Sequence, residues 1–180
     1  DPVKESSVEA RTRLGSGRLN VARALEYAQV FANGSGASGS FASTASSESI
    51  VIAQARGSDP VIRRLDGRGN VLVDFYAYNE AFYGGVRVAV GDVDGDGELE
   101  IVTGPGPGGG PQVRIFDLDG NVEGQFFAFD TGDRNGIFVA TGDVNGDGVE
   151  EILVTSDQGG TGQVRIFNQL GHLKGAFFPF

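Results

Sequence analysis

The stretch Gly91-Asp-Val-Asp-Gly-Asp-Gly-Glu-Leu-Glu100 returns 51 residues later as Gly142-Asp-Val-Asn-Gly-Asp-Gly-Val-Glu-Glu151. Four oxygen-bearing side chains keep their places in both copies: Asp92, Asp94, Asp96 and Glu100, then Asp143, Asn145, Asp147 and Glu151. Carboxylates set at alternating positions repel one another unless a cation sits among them. Short acidic side chains on a glycine-loosened loop can converge on one ion, and an all-oxygen donor set selects a hard cation such as Ca²⁺. An isolated acidic run is commonly a solvated turn. Two copies in one register, inside a longer repeat, favour the cation.

The spacing excludes one familiar calcium loop. An EF-hand needs a bidentate Glu at its twelfth position, between two helices. Counted from Asp92 that position is Thr103, and from Asp143 it is Val154. The acid comes at position nine instead, and apolar β-branched residues follow it, Ile101-Val-Thr103 and Ile152-Leu-Val-Thr155. Val86-Arg-Val-Ala-Val90 and Ile137-Phe-Val-Ala-Thr141 precede the loops and are equally strand-like. Each loop therefore joins two strands.

The loops belong to a larger period. Residues 86–129 and 137–180 align without a gap at 22 identities in 44 positions, more than composition alone produces. A fainter copy lies one period earlier, where 50–78 match 101–129 at 11 of 29 positions, including Arg63/Arg114, Asp66/Asp117 and Phe75/Phe126. A full unit reads as four short strands: Val86–Val90, Leu99–Thr103, Gln112–Phe116 and Gly124–Phe129, punctuated by Gly, Pro, Asn and Asp. Four antiparallel strands every 40–50 residues predict β-propeller blades, so the expected fold is mainly β, with about 2.75 repeats in an incomplete ring.

The chain resembles the FG-GAP/VCBS repeats of integrin α-subunit propellers and of many secreted bacterial proteins. Gly-Asp-Val-[Asp/Asn]-Gly-Asp-Gly, the apolar strand after it, the Gly-Pro-rich loop and Val-Arg-Ile-Phe carry the likeness, over about 48–180. The resemblance implies Ca²⁺ held between the first two strands of each blade. It selects the eight side chains named above, and adds the backbone carbonyls of Glu98 and Val149. The first unit, 48–78, departs from the pattern: its loop equivalents are Phe41, Ser43, Ala45 and Ser49, so no metal is expected there.

Residues 1–30 read differently. Val8–Arg13 and Val21–Val30 are helix-like, with Asn20 placed to cap the second. Gly15-Ser-Gly-Arg-Leu-Asn-Val-Ala-Arg-Ala24 resembles the closing stretch of subtilisin-like serine protease domains. The catalytic machinery of such a domain is absent from the chain, whose only histidine is His172. Residues 31–47 are Gly/Ser/Ala-rich and predict a flexible linker in place of the first unit's opening strand. Too few repeats to close a ring predict a segment of a longer polypeptide, with further propeller repeats as its neighbours, or an open array.

Charge and composition narrow the function. A net charge of −10 argues against nucleic acid, which needs a basic face. Seven of the negative charges sit on the eight loop side chains, so two Ca²⁺ would relieve much of the self-repulsion. No cysteine is present, which rules out disulfides and thiolate metal sites. No apolar run is long enough to span a membrane as a helix.

The expected role is a non-enzymatic calcium-binding interaction or accessory module of a secreted or cell-surface bacterial protein, with an unidentified protein or glycan ligand. One alternative is the C-terminal accessory part of a subtilisin-like protease. Another is a carbohydrate-binding propeller, for which Phe82 and Tyr83 are the obvious loop aromatics. Gly104-Pro-Gly-Pro-Gly-Gly109 matches G-x-G-x-x-G but leads into a strand, so it reads as an inter-strand loop. His172 reads as a turn residue tolerating positive φ. The recurring Arg63, Arg114 and Arg165 read as outward-facing or as partners of a neighbouring blade. The triplets Phe75/Tyr76/Tyr78, Phe126/Phe127/Phe129 and Phe177/Phe178/Phe180 read as inter-blade core.

Overall fold

The computed structural model describes residues 40–43, 49–157, 159–160 and 162–179. The helices expected within 1–30 and most of the 31–47 segment lie outside the described residues. Three four-stranded sheets follow one another along the chain, each paired in chain order. Unit one is β1 (Ser40–Ser43), β2 (Ser49–Ala53), β3 (Val61–Asp66) and β4 (Val71–Tyr76). Unit two is β5 (Val86–Gly91), β6 (Glu100–Pro105), β7 (Gln112–Phe116) and β8 (Val122–Phe127). Unit three is β9 (Ile137–Gly142), β10 (Glu151–Ser156), β11 (Val164–Phe167) and β12 (Leu173–Phe177). All neighbouring strands are antiparallel. No helix occurs among the described residues.

The opening strand of unit one corrects the linker expectation. Residues 40–43 pair with β2 through Ser40↔Ala53 to Ser43↔Ile50. In unit two Gly104 pairs with Arg87, so an ungapped repeat would place residue 36 opposite Ala53; Ser40 is there instead, four residues later. Residues 44–48 join β1 to β2, where 92–99 join β5 to β6. Phe41 and Ser43 thus stand in a strand, not in a loop that could hold an ion. Ladder hydrogen bonds depend on backbone groups, and the free edge of β2 offered them to a Ser/Ala-rich segment whose side chains gave no hint of it.

The turns repeat as faithfully as the strands. Between the third and fourth strands Asp66 accepts from the backbone of Arg68 and Asn70, and Asp117 from Asp119 and Asn121. Asn168 does the same for His172 N–H at 2.8 Å. Gly69, Gly120 and Gly171 supply the positive φ at 88°, 88° and 75°. His172 is a turn residue as expected, but the left-handed position belongs to Gly171. A one-residue register shift follows at the same point of each unit, at Arg64/Leu65, Ile115/Phe116 and Ile166/Phe167.

Two seams hold the three sheets together, and they are copies. The first-in-unit strands are neighbours: β5 packs on β1 and β2, and β9 on β5 and β6. The seam between units one and two buries Val51, Ile62, Ala77, Val86, Ile101 and Phe116. One repeat later the same positions are Val102, Val113, Ala128, Ile137, Ile152 and Phe167, buried together between units two and three. Each buried Val, Ile or Phe among them contributes about 1.5–3 kcal/mol by leaving water. Phe75 meets Phe116 at 4.8 Å between ring centroids, and Phe126 meets Phe167 at 4.9 Å.

Two of the three recurring arginines, Arg114 and Arg165, pair with a neighbouring unit, through its main chain. Arg114 Nη1 donates to Ala77 O at 2.6 Å, and Arg165 Nη1 to Ala128 O at 2.8 Å. The aromatic triplets divide between two environments. Phe75, Tyr78, Phe126 and Phe129 enter the seams; strand alternation turns Tyr76 and Phe127 outward, and in unit three both Phe177 and Phe178 are exposed.

Candidate metal loops

Both acidic loops span the first and second strands of their units. Glycine makes them possible: Gly95, Gly97, Gly146 and Gly148 have φ of 85°, 92°, 82° and 94°, where a side chain would be strained. The acids first organise the loop itself. Asp92 Oδ1 accepts from Gly95 N at 2.7 Å and its Oδ2 from Gly97 N at 3.0 Å; Asp94 accepts from Asp96 N and Asp96 from Glu98 N. The second loop reproduces this set. Asp143 accepts from Gly146 N at 2.6 Å and Gly148 N at 3.0 Å, Asn145 from Asp147 N, and Asp147 from Val149 N.

In the first loop three carboxylates converge. One oxygen each from Asp92, Asp94 and Glu100 lie within 4.8 Å of one another, a spacing a single cation can bridge. Glu100 is 4% exposed, and its Oε2 accepts from Val93 N at 2.8 Å. Burial raises its pKa to about 7, the charges of Asp94, Glu123 and Asp92 add to the rise, and the Val93 hydrogen bond opposes it. Such a group, beside two more carboxylates, is relieved either by a proton or by a cation near it. Asp96 is outside this three-oxygen group and exposed, so of the four expected side chains the structure draws three together. Glu98 contributes its N–H to Asp96; its carbonyl has no described role.

The second loop balances itself differently. Glu151 is buried and accepts from Val144 N at 3.1 Å, as Glu100 does from Val93. Its Oε1 accepts from Asn145 Nδ2 at 2.5 Å, so a neutral amide stands beside it where the first loop has the Asp94 carboxylate. Asp143, Asn145 and Asp147 lie between β9 and β10, Glu151 opens β10 and Val149 precedes it; among the described residues the three acids of this loop do not converge as Asp92, Asp94 and Glu100 do.

Glu123, at the start of β8, was not legible as part of the site. Its pKa is raised by partial burial and by the charges of Asp117, Asp94 and Asp96, which places it in the field of the first loop. The alignment held a signal for it: one repeat later the residue is Lys174, a reversal of charge. The loop aromatics Phe82 and Tyr83 lie elsewhere. They line an open cleft of about 450 Å³ with Arg56, Gly84 and Pro107, at the seam of units one and two.

A family model for the FG-GAP repeat matches residues 135–167, from just before β9 through the second acidic loop to the end of β11. The match supports a β-propeller-like repeat module. It does not reach residues 1–30, and the protease-like reading of Gly15–Ala24 gains no support. A search of curated proteins gave no match. No helix among the described residues is long and apolar enough to cross a membrane.

Proposed function

We propose that the chain is a calcium-binding, β-propeller-like interaction module, with one Ca²⁺ in each acidic loop. The observation that carries this reading is the convergence of Asp92, Asp94 and buried Glu100 in a loop whose internal geometry recurs one repeat later. Asp92, Asp94 and Glu100 would hold the first ion, and Asp143, Asn145 and Glu151 the second. Asp96, Asp147 and the carbonyls of Glu98 and Val149 lie on the same loops to complete the oxygen shells. The ion would serve structure: it would neutralise carboxylates that otherwise strain the loop between an inner strand and its neighbour. Binding without turnover is the proposed activity. A secreted or cell-surface setting fits, because free Ca²⁺ is plentiful there and affinities of about 0.1–1 mM suffice for extracellular modules.

The test is thermal unfolding of the full chain in EDTA and in CaCl₂. Calcium at a hundred times Kd stabilises by about 2.7 kcal/mol for each site that binds the folded state alone. A clear rise in Tm with CaCl₂ is expected. The same Tm in EDTA and in CaCl₂ would remove the calcium assignment.

A further inference from the structure

The two acidic loops touch. Val93, second residue of the first motif after Gly91, is 1% exposed, while its counterpart Val144 is 52% exposed. The difference is made by unit three, since Val93 is buried in the core that includes Ile137 and Ile152. Glu150 N donates to Asp92 O at 2.8 Å, and Thr141 Oγ1 donates to Val90 O at 3.1 Å. The Val149 side chain lies over Gly95: a Cβ at Gly95 would stand 2.7 Å from Val149 Cγ2. A Cβ at Gly91 would collide with the Glu150 carboxylate. The main chain from Gly91 to Gly95, which carries Asp92 and Asp94, is therefore pinned by the residues that lead directly into Glu151.

We propose that the first loop is a composite site, its lead ligand Asp92 positioned by Val149 and Glu150 of the neighbouring loop, and that cation binding at the two loops is positively coupled. The inference rests on the calcium reading above and adds how the sites act on each other. An ion held by Asp143, Asn145 and Glu151 fixes the backbone between them, and 149–150 is part of that backbone. The ordering entropy of the clamp is then already spent when the first loop binds. The clamp is seen together with converged Asp92, Asp94 and Glu100, so the clamped arrangement is the one competent to bind, and the coupling is positive. Reciprocity requires the first ion to tighten the second site by the same factor.

Isotope-labelled full chain titrated with CaCl₂ tests this by NMR. The amides of Gly97 and Gly148, held by Asp92 Oδ2 and Asp143 Oδ2, report the two loops separately. Asp143→Ala should weaken calcium binding at Gly97 by about fivefold or more, and Asp92→Ala should weaken binding at Gly148 equally. Thr141→Val, outside both ligand sets, should leave two binding loops with a smaller coupling factor. Its Tm in EDTA, compared with that of the unaltered chain, shows that the fold is retained. An unchanged Gly97 affinity in Asp143→Ala overturns the coupling and leaves the calcium reading standing. If neither glycine of the unaltered chain responds to calcium, the calcium reading falls and the coupling with it.

Discussion

Glu123 lies outside the repeated motif yet within the electrostatic field of the first loop, where the second loop has no acidic equivalent. The first loop carries Asp92, Asp94, Asp96 and Glu100, and Glu123 adds a fifth negative charge to its field. The second has the neutral Asn145 in its motif and Lys174 at the position equivalent to Glu123. A charge outside an ion's coordination shell acts through Coulomb's law in a solvated setting, so its effect is modest and screened by salt. Glu123→Lys should weaken calcium binding at the first loop by about two- to fivefold at low ionic strength, and Lys174→Glu should strengthen the second by a similar factor. Both shifts should shrink as NaCl is raised, because the Debye length falls to about 8 Å at 0.15 M. Calorimetric titrations at two salt concentrations give the measurement. A salt-independent change would mean that the substitutions act on loop structure instead.

The hairpins between third and fourth strands are held by one side chain each. Burial pushes the Asp117 carboxyl up, but hydrogen bonds from the Asn121 side chain and backbone, and from Asp119 and Gly120, outweigh it and hold its pKa below the ordinary 3.8. Asp66 is lowered as well, first by the Asn70 side chain. A folded pKa below the unfolded one gives stability that is present above the unfolded value and lost as pH falls through the folded one. Acidification below about pH 4 should therefore loosen these turns, read as faster hydrogen exchange at the Asn70 and Asn121 amides. Asp117→Ala should cost about 1 kcal/mol at neutral pH and remove the acid sensitivity at Asn121. Turns of this kind were legible in the sequence, because Asp, Gly and Asn at fixed offsets act locally. The first strands of units two and three, β5 and β9, and the acidic loops were legible for the same reason, with strand ends placed within about two residues, as helix and strand boundaries generally are. β1 was not, since its pairing is a property of the open edge beside it. The Glu150–Asp92 contact was not either: period and spacing describe one unit, and that hydrogen bond lies between two.

Across the whole molecule, one seam chemistry is written twice and then left open. Phe75 and Phe126 stack on the next unit's aromatic ring, yet their counterpart Phe177 is 47% exposed. Leu153 and Val164 are half-buried where Val102 and Val113 are fully covered. An apolar face shaped to receive another sheet is expected to find one in solution. The chain should self-associate as its concentration rises, and Phe177→Ser should reduce this, as sedimentation velocity would measure. A protein that stays monomeric at high concentration would show that water satisfies this face. The sameness of the seams also bears on how such chains lengthen. Because the outgoing face of unit two already fits the incoming face of a successor, an in-frame duplication of 79–129 would insert a sheet that finds both its neighbours ready-made. Its polar contacts would change: Thr103 of the inserted copy would face the ring of Phe129 where it now meets the Tyr78 hydroxyl at 3.1 Å, and the copy carries Val90, Glu98 and Leu99 where unit three has Thr141, Val149 and Glu150. A genetic accident of that size would keep the apolar seam and leave the loop contacts to be rebuilt by later substitution, so the array could grow one unit at a time.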